Sequence, residues 1–182
     1  MPIKSKGFTL IELLVVIAII AVLSTIAATM YSTAQKSARI TKRIGDLRAV
    51  RTALELYKLS NGKYPVTAVG QWNSQCPGGS GGGLASDLVI PGLVPTYLPA
   101  FPADPSMNIV TSRNCYLYQS PDGTDYKFLD HQVIDITDTD WINQRNYIDP
   151  ARDGGTDPCK VDPVSSPGVH EWAIYTLGGC AL

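Results

Sequence analysis

Histidine is nearly absent from this chain of 182 residues: His131 and His170 are its only two. Neither stands at ligand spacing from a cysteine, and no two of Cys76, Cys115, Cys159 and Cys180 form a Cys-x-x-Cys pair. That argues against a zinc site. No serine or cysteine is placed by the sequence as a nucleophile beside a histidine, so no enzyme is expected. Net charge is missing too. The formal sum is −1, and nothing suggests a nucleic-acid partner. An even number of scattered cysteines, in a stretch rich in Tyr, Gly and Pro, reads as disulfides formed in an oxidising compartment.

The scarcest feature is charge near the N-terminus. From Phe8 to Gln35 the only charged residue is Glu12, and no Gly or Pro occurs between Phe8 and Gly45. An uncharged run of about 22 residues, at ~1.5 Å rise each, spans the ~30 Å hydrocarbon core of a bilayer. Lys4 and Lys6 precede it, which places the N-terminus in the cytoplasm and the rest outside. The run is too long for the apolar core of a secretory signal peptide and has no small-residue cleavage site at its end. An ordinary signal anchor accounts for the lysines and the hydrophobicity, but not for Glu12. A carboxylate in a membrane helix costs roughly 2.5–3.5 kcal/mol at mid-bilayer, less near an interface. Such a group needs a partner.

The residues Gly7-Phe8-Thr9-Leu10-Ile11-Glu12, followed by Leu13-Leu14-Val15-Val16-Ile17-Ala18-Ile19-Ile20, resemble the N-terminal signature of type IV pilins and type II secretion pseudopilins. The resemblance implies a leader over 1–7, cleaved between Gly7 and Phe8 by a membrane prepilin peptidase and methylase. It implies N-methylation of Phe8 and polymerisation through Thr9 and Glu12 into a helical homopolymer. The partners it implies are other copies of the chain and a pilus or secretion assembly machinery. The chemistry of Glu12 points the same way. Cleavage exposes an ammonium at Phe8, on the positive end of a helix with unsatisfied N–H groups. Glu12 can fold back toward that amine, snorkel to headgroups, or meet the amine of a neighbouring subunit, where an orphan charge is expensive.

Apolar spacing continues beyond the membrane segment. Ile40, Ile44, Leu47, Val50, Leu54 and Tyr57 form one stripe, while Lys42, Arg43, Arg48, Arg51, Glu55 and Lys58 cover other faces, the basic ones open to anionic headgroups, acidic neighbours or solvent. Ser60-Asn61-Gly62 and then Pro65 end the helix. The organisation expected is therefore 8–34 as membrane or filament-core helix, 35–62 as its amphipathic continuation, and 63–182 as a globular head. The segment Lys58-Leu59-Ser60-Asn61-Gly62-Lys63-Tyr64-Pro65 also resembles the helix end of major pseudopilins.

In the head, 66–105 reads as loop, with a short helix at Leu84–Leu88. Cys115–Gln119 and Tyr126–Phe128 flank the turn Pro121-Asp122-Gly123 as a hairpin, and Glu171–Leu177 is a last strand. The fold class is α+β: a long N-terminal helix packed against a small antiparallel sheet. Residues 133–167, rich in Asp, Pro and Gly, read as an exposed loop. Four cysteines allow three pairings. Pairing each loop to the strand that follows it gives Cys76–Cys115 and Cys159–Cys180. The acids Asp135, Asp138 and Asp140 offer oxygen ligands, and the resemblance to major pseudopilins implies calcium in this part. Yet Asp135–Trp141 lacks the glycine and distal glutamate of an EF-hand loop.

Three functions remain open. A type IV pilus subunit is placed slightly ahead on its disulfides. The alternatives are a type II secretion major pseudopilin and a bitopic membrane protein that never polymerises.

Overall fold

The computed structural model describes residues 7–77, 81–149, 151 and 170–182, without the side chains of 26–29. Helix α1 runs without a break over Leu10–Asn61, 52 residues. Two compact units divide along it, one up to Ala38 and one from Arg39.

In the first unit every described side chain from Gly7 to Gln35 is exposed, including Leu10, Ile11, Ile17, Ile20 and Leu23. The helix is long and apolar enough to cross a membrane. Its continuity follows from the lack of Gly and Pro up to Gly45.

The second unit carries the core. Ile44, Leu47, Val50, Ala53 and Leu54 are buried at three- and four-residue spacing, with Ile40 and Tyr57 half-buried at either end. Helix α1 stops where Gly62 turns to φ +78° and its N–H donates to the Lys58 carbonyl at 2.7 Å. Glycine takes that left-handed conformation without a Cβ penalty.

The sheet is antiparallel, in the order β1-β2-β3-β4: Asn73–Ser74, Cys115–Gln119, Lys127–Val133 and His170–Tyr175. Tyr118 lies opposite Phe128, and Phe128 opposite Ile174, so one face joins the core with the stripe of α1. Rings interlock there: Tyr116 and Phe128 lie 5.3 Å apart, and Tyr64 and Tyr126 lie 4.6 Å apart. The expected α+β architecture is what the chain forms.

Two sequence expectations change. The expected helix at Leu84–Leu88 is one 3-10 turn, Ser86–Leu88. The stretch read as an exposed loop over 133–167 is folded as far as it is described. Helix α2, Asp138–Asn143, starts on a capping box in which Thr137 and Asp140 satisfy each other's backbone N–H. It buries Trp141, whose indole N–H donates to the Glu171 carbonyl at 3.2 Å. Tyr147 and Ile148 follow into the core, and Ile148 bridges to Trp172 on β4. Residues 150 and 152–167 lie outside the described residues.

Cys76 and Cys115 form a disulfide with a Cα separation of 6.2 Å, which fastens the 66–105 loop to the start of β2. Cys180 is disulfide-bonded as well; Cys159, its expected partner, lies outside the described residues.

Candidate assembly and processing site

Gly7, Phe8, Thr9 and Glu12 sit together at the start of α1. Phe8 is 78% exposed, and a Cβ added at Gly7 would meet nothing within 4 Å. The fold therefore sets no demand for glycine there. Glu12 turns back onto Thr9. Its Oε2 accepts the Thr9 N–H at 2.8 Å and the Thr9 hydroxyl at 2.6 Å, while the Glu12 N–H donates to Thr9 Oγ1 at 3.3 Å. This is a capping box, with Thr9 as N-cap and Glu12 three residues on. The sequence reading had Glu12 folding toward its own Phe8 amine or toward headgroups; within one subunit its partner is Thr9. The Thr-x-x-Glu spacing was the signal for it. Both Thr9 donors reach one carboxylate oxygen, Oε2.

The acids Asp135, Asp138 and Asp140 are not gathered around one point. Asp135 pairs with Arg39 at 2.6 Å and Arg43 at 2.8 Å, and accepts the Ser106 hydroxyl at 3.0 Å. Asp138 meets Nε2 of His170 at 2.7 Å, and Asp140 belongs to the Thr137 capping box. Among the described residues no group of three or more His, Cys, Asp or Glu side chains is placed to hold a metal.

Arg43, one of the basic residues off the apolar stripe, is fully buried, and of the surroundings left open to it by the sequence it meets acidic neighbours. Three carboxylates converge on it: Asp104, Asp130 at 3.3 Å and Asp135 at 2.8 Å. Burial works against the Arg43 charge, but the Asp104 hydrogen bond and the three carboxylates outweigh it and its proton affinity rises. Burial also raises the proton affinity of Asp130, reinforced by Asp104 and opposed by Arg43. Asp135 goes the other way. Burial raises it, yet Arg43 together with the bonds from Ser106 and Arg39 holds its carboxyl below the usual range. Tyr116 closes the cluster by donating to Asp46 at 2.8 Å.

A second buried cation, Lys127, lies at the start of β3. Its Nζ is 3.0 Å from Asp149 Oδ1 and 2.8 Å from the oxygens of Cys180 and Leu182.

Residues 3–28 match a family described as the prokaryotic N-terminal methylation motif. The chain is also similar to type II secretion system core protein G of three organisms. For Pseudomonas aeruginosa the identity is 37% over 67 residues, 37% of this chain and 47% of the relative. For Escherichia coli it is 40% over 67 residues, 37% of this chain and 46% of the relative. For Pectobacterium carotovorum it is 30% over 136 residues, 73% of this chain and 74% of the relative. The chain belongs to the type IV pilin and type II secretion pseudopilin family. Against the first two relatives the chain spans just under half of their length; against the third, the likeness continues past α1 into the head. No solved structure gives a significant match. The pilin signature at Gly7, Phe8, Thr9 and Glu12 falls inside the matched methylation motif, on the exposed start of α1.

Proposed function

We propose that this chain is a structural subunit of a type II secretion pseudopilus, trimmed between Gly7 and Phe8 and polymerised through α1. The observation that carries the reading is the likeness to the Pectobacterium core protein G over 136 residues, head included. By contrast, the likeness to prepilin peptidase-dependent protein D of Escherichia coli, 40% identical, spans 79 residues, 43% of this chain. The secretion branch therefore has more support than the pilus placed ahead from sequence.

The assembly step rests on the geometry of the capping box. Cleavage turns the Phe8 nitrogen into an ammonium. Thr9 holds the Glu12 carboxylate by one oxygen, and Glu12 Oε1 is left to accept the ammonium of a neighbouring subunit. In an apolar bundle that pair fixes register, because a subunit out of step leaves both charges alone. A peptidase that reads a narrow cleavage site accounts for glycine at position 7, where the fold does not require it. The precursor is a single-pass membrane protein with its N-terminus in the cytoplasm, and its partners are other copies, the prepilin peptidase and the secretion machinery.

The test has two readouts in the source organism. Intact mass of the subunit should give a mature chain beginning at N-methylated Phe8, with formal charge moved from −1 to −3 as Lys4 and Lys6 leave 13 basic against 16 acidic residues. Deleting the gene should trap exported proteins inside the envelope while surface pili persist. A mature terminus elsewhere sinks the processing; lost pili with normal export favours the pilus.

A further inference from the structure

We propose that Lys127 and Asp149 condense into a side-chain amide, an isopeptide crosslink inside the head. Both side chains are 0% exposed, and Nζ lies 3.0 Å from Asp149 Oδ1. Backbone on each side holds the two in place. Lys127 opens β3 and is paired with Tyr175 of β4. Asp149 follows Ile148, which bridges to Trp172, and the Asp149 N–H donates to the Glu171 carbonyl at 3.2 Å. The oxygens of Cys180 and Leu182, each 2.8 Å from Nζ, fix the nitrogen against the carboxyl group. Holding the amine against the carboxyl group replaces a diffusional encounter, which is the advantage that proximity offers.

The chemistry follows from burial. An ion pair taken out of water loses several kcal/mol of solvation per ion, on the order given for buried pairs, which favours proton transfer to a neutral amine and a neutral acid. That is the reactive form of the pair. Burial raises the proton affinity of Asp149, Lys127 opposes this, and the charge of Glu171 adds to it. The amine lone pair then attacks Asp149 Cγ. A C–N bond forms, the C–OH bond breaks, and the hydroxyl leaves as water with a proton from the nitrogen. The sum is one ammonium and one carboxylate giving one amide and one water, with no oxidant or reductant. Nζ keeps one hydrogen, which stays within reach of the Cys180 carbonyl. Two buried charges vanish and a water is released.

The crosslink would span 22 residues and tie β3 to the segment beside β4. The same part of the core also holds disulfide-bonded Cys180, whose carbonyl meets Nζ. An amide is indifferent to reduction, so it braces this part of the head even when the disulfide of Cys180 is opened.

The experiment uses the full chain, purified in detergent with its fold checked by circular dichroism. Thiols are reduced and alkylated before intact-mass measurement. The expected mass is one water below that of the sequence, and tandem spectra of a digest contain a branched peptide joining Lys127 to Asp149. Asp149→Ala returns to its full sequence mass. A folded wild-type chain at full mass overturns the proposal, and this measurement decides alone if the variant does not fold. A water deficit that persists in Asp149→Ala also overturns it, because the loss then arises elsewhere, as by cyclisation at Asp122-Gly123.

Discussion

Helix α1 lives under two sets of rules. Up to Ala38 its described apolar side chains are exposed, and its one acid, Glu12, is satisfied three residues away by Thr9. From Arg39 onward its apolar side chains turn inward, and its buried cation, Arg43, is satisfied by Asp104, which lies 61 residues further along the chain. The backbone is the same; the surroundings differ. Where a chain folds on itself, distant carboxylates can be brought to a buried charge. Where a helix stands with all faces open, its own chain has only near neighbours to offer, and any further partner must come from another molecule. Under the proposed function the first stretch serves association, while the second serves folding.

The largest expected effect breaks the first half of that contrast. Glu12→Val removes the only charge between Phe8 and Gln35 and eases insertion by up to about 2.5–3.5 kcal/mol. Cells should still insert and trim the variant, yet filaments that label with an antibody to this subunit should fall to background by electron microscopy. Wild-type filament yield from Glu12→Val would refute pairing between subunits. Next comes the second half. Arg43→Met keeps much of the side-chain volume but strands Asp104, Asp130 and Asp135 without their shared cation. Breaking a buried pair from one side costs about 3–5 kcal/mol. Urea unfolding of the full chain in detergent, followed by near-UV circular dichroism, should show that loss. A cost under about 1 kcal/mol, the range of exposed pairs, would mean Arg43 is solvated after all.

How much of this could be read in advance depended on distance along the chain. The signature from Gly7 to Glu12, the stripe from Ile40 to Tyr57, the hairpin around Pro121-Asp122-Gly123 and the last strand are local patterns, and each forms the expected element. The Cys76–Cys115 link followed from placing a loop beside its strand. The sequence leaves Arg43 open between headgroups, acidic neighbours and solvent because its partners are non-local; on a helical wheel it differs little from Lys42. Strand β1 has no local signal, since Asn73 is extended through its pairing with Tyr118. Helix α2 was legible but overlooked. Its Thr-x-x-Asp box and Trp141 stand in an acidic stretch whose composition suggested loop. Thr9 and Glu12 carry the same kind of signal and were read for charge alone.

A smaller effect sharpens the account of the buried cluster. Arg43 faces Asp130 from α1, Asp104 from the loop before β2, and Asp135 from the segment after β3. Folding raises the proton affinity of Asp130, so its contribution to stability is complete below the unfolded value of about 3.9 and is lost as pH rises through the folded value. Asp135 has the opposite sign: its contribution is present at neutral pH and is lost as pH falls. Asp130→Asn keeps the shape and can donate to Asp104 as the protonated acid would. It should remove a slope of up to about 1.4 kcal/mol per pH unit by which stability falls as pH rises. A variant whose pH profile matches the wild type, with stability lost at neutral pH, would show that Asp130 acts as an anion beside Arg43.

The smallest effect separates two roles of the N-terminal site. Thr9→Ala deletes the hydroxyl that donates to Glu12 and accepts the Glu12 N–H, while the backbone N–H of residue 9 remains to meet Oε2. Loss of an N-cap side chain costs about 1 kcal/mol, felt only in the first turn of a helix of 52 residues. The head should unfold at the wild-type urea concentration, since nothing in its core is touched. Assembly should weaken rather than vanish. The carboxylate is still there to meet a neighbour's ammonium, but it is no longer held by the Thr9 hydroxyl. Filament yield for Thr9→Ala should therefore lie between those of wild type and Glu12→Val. If Thr9→Ala abolished filaments as fully as Glu12→Val while leaving trimming intact, the filament would depend on the capped helix end itself. The ion pair between subunits would then lose its place as the reason for Glu12.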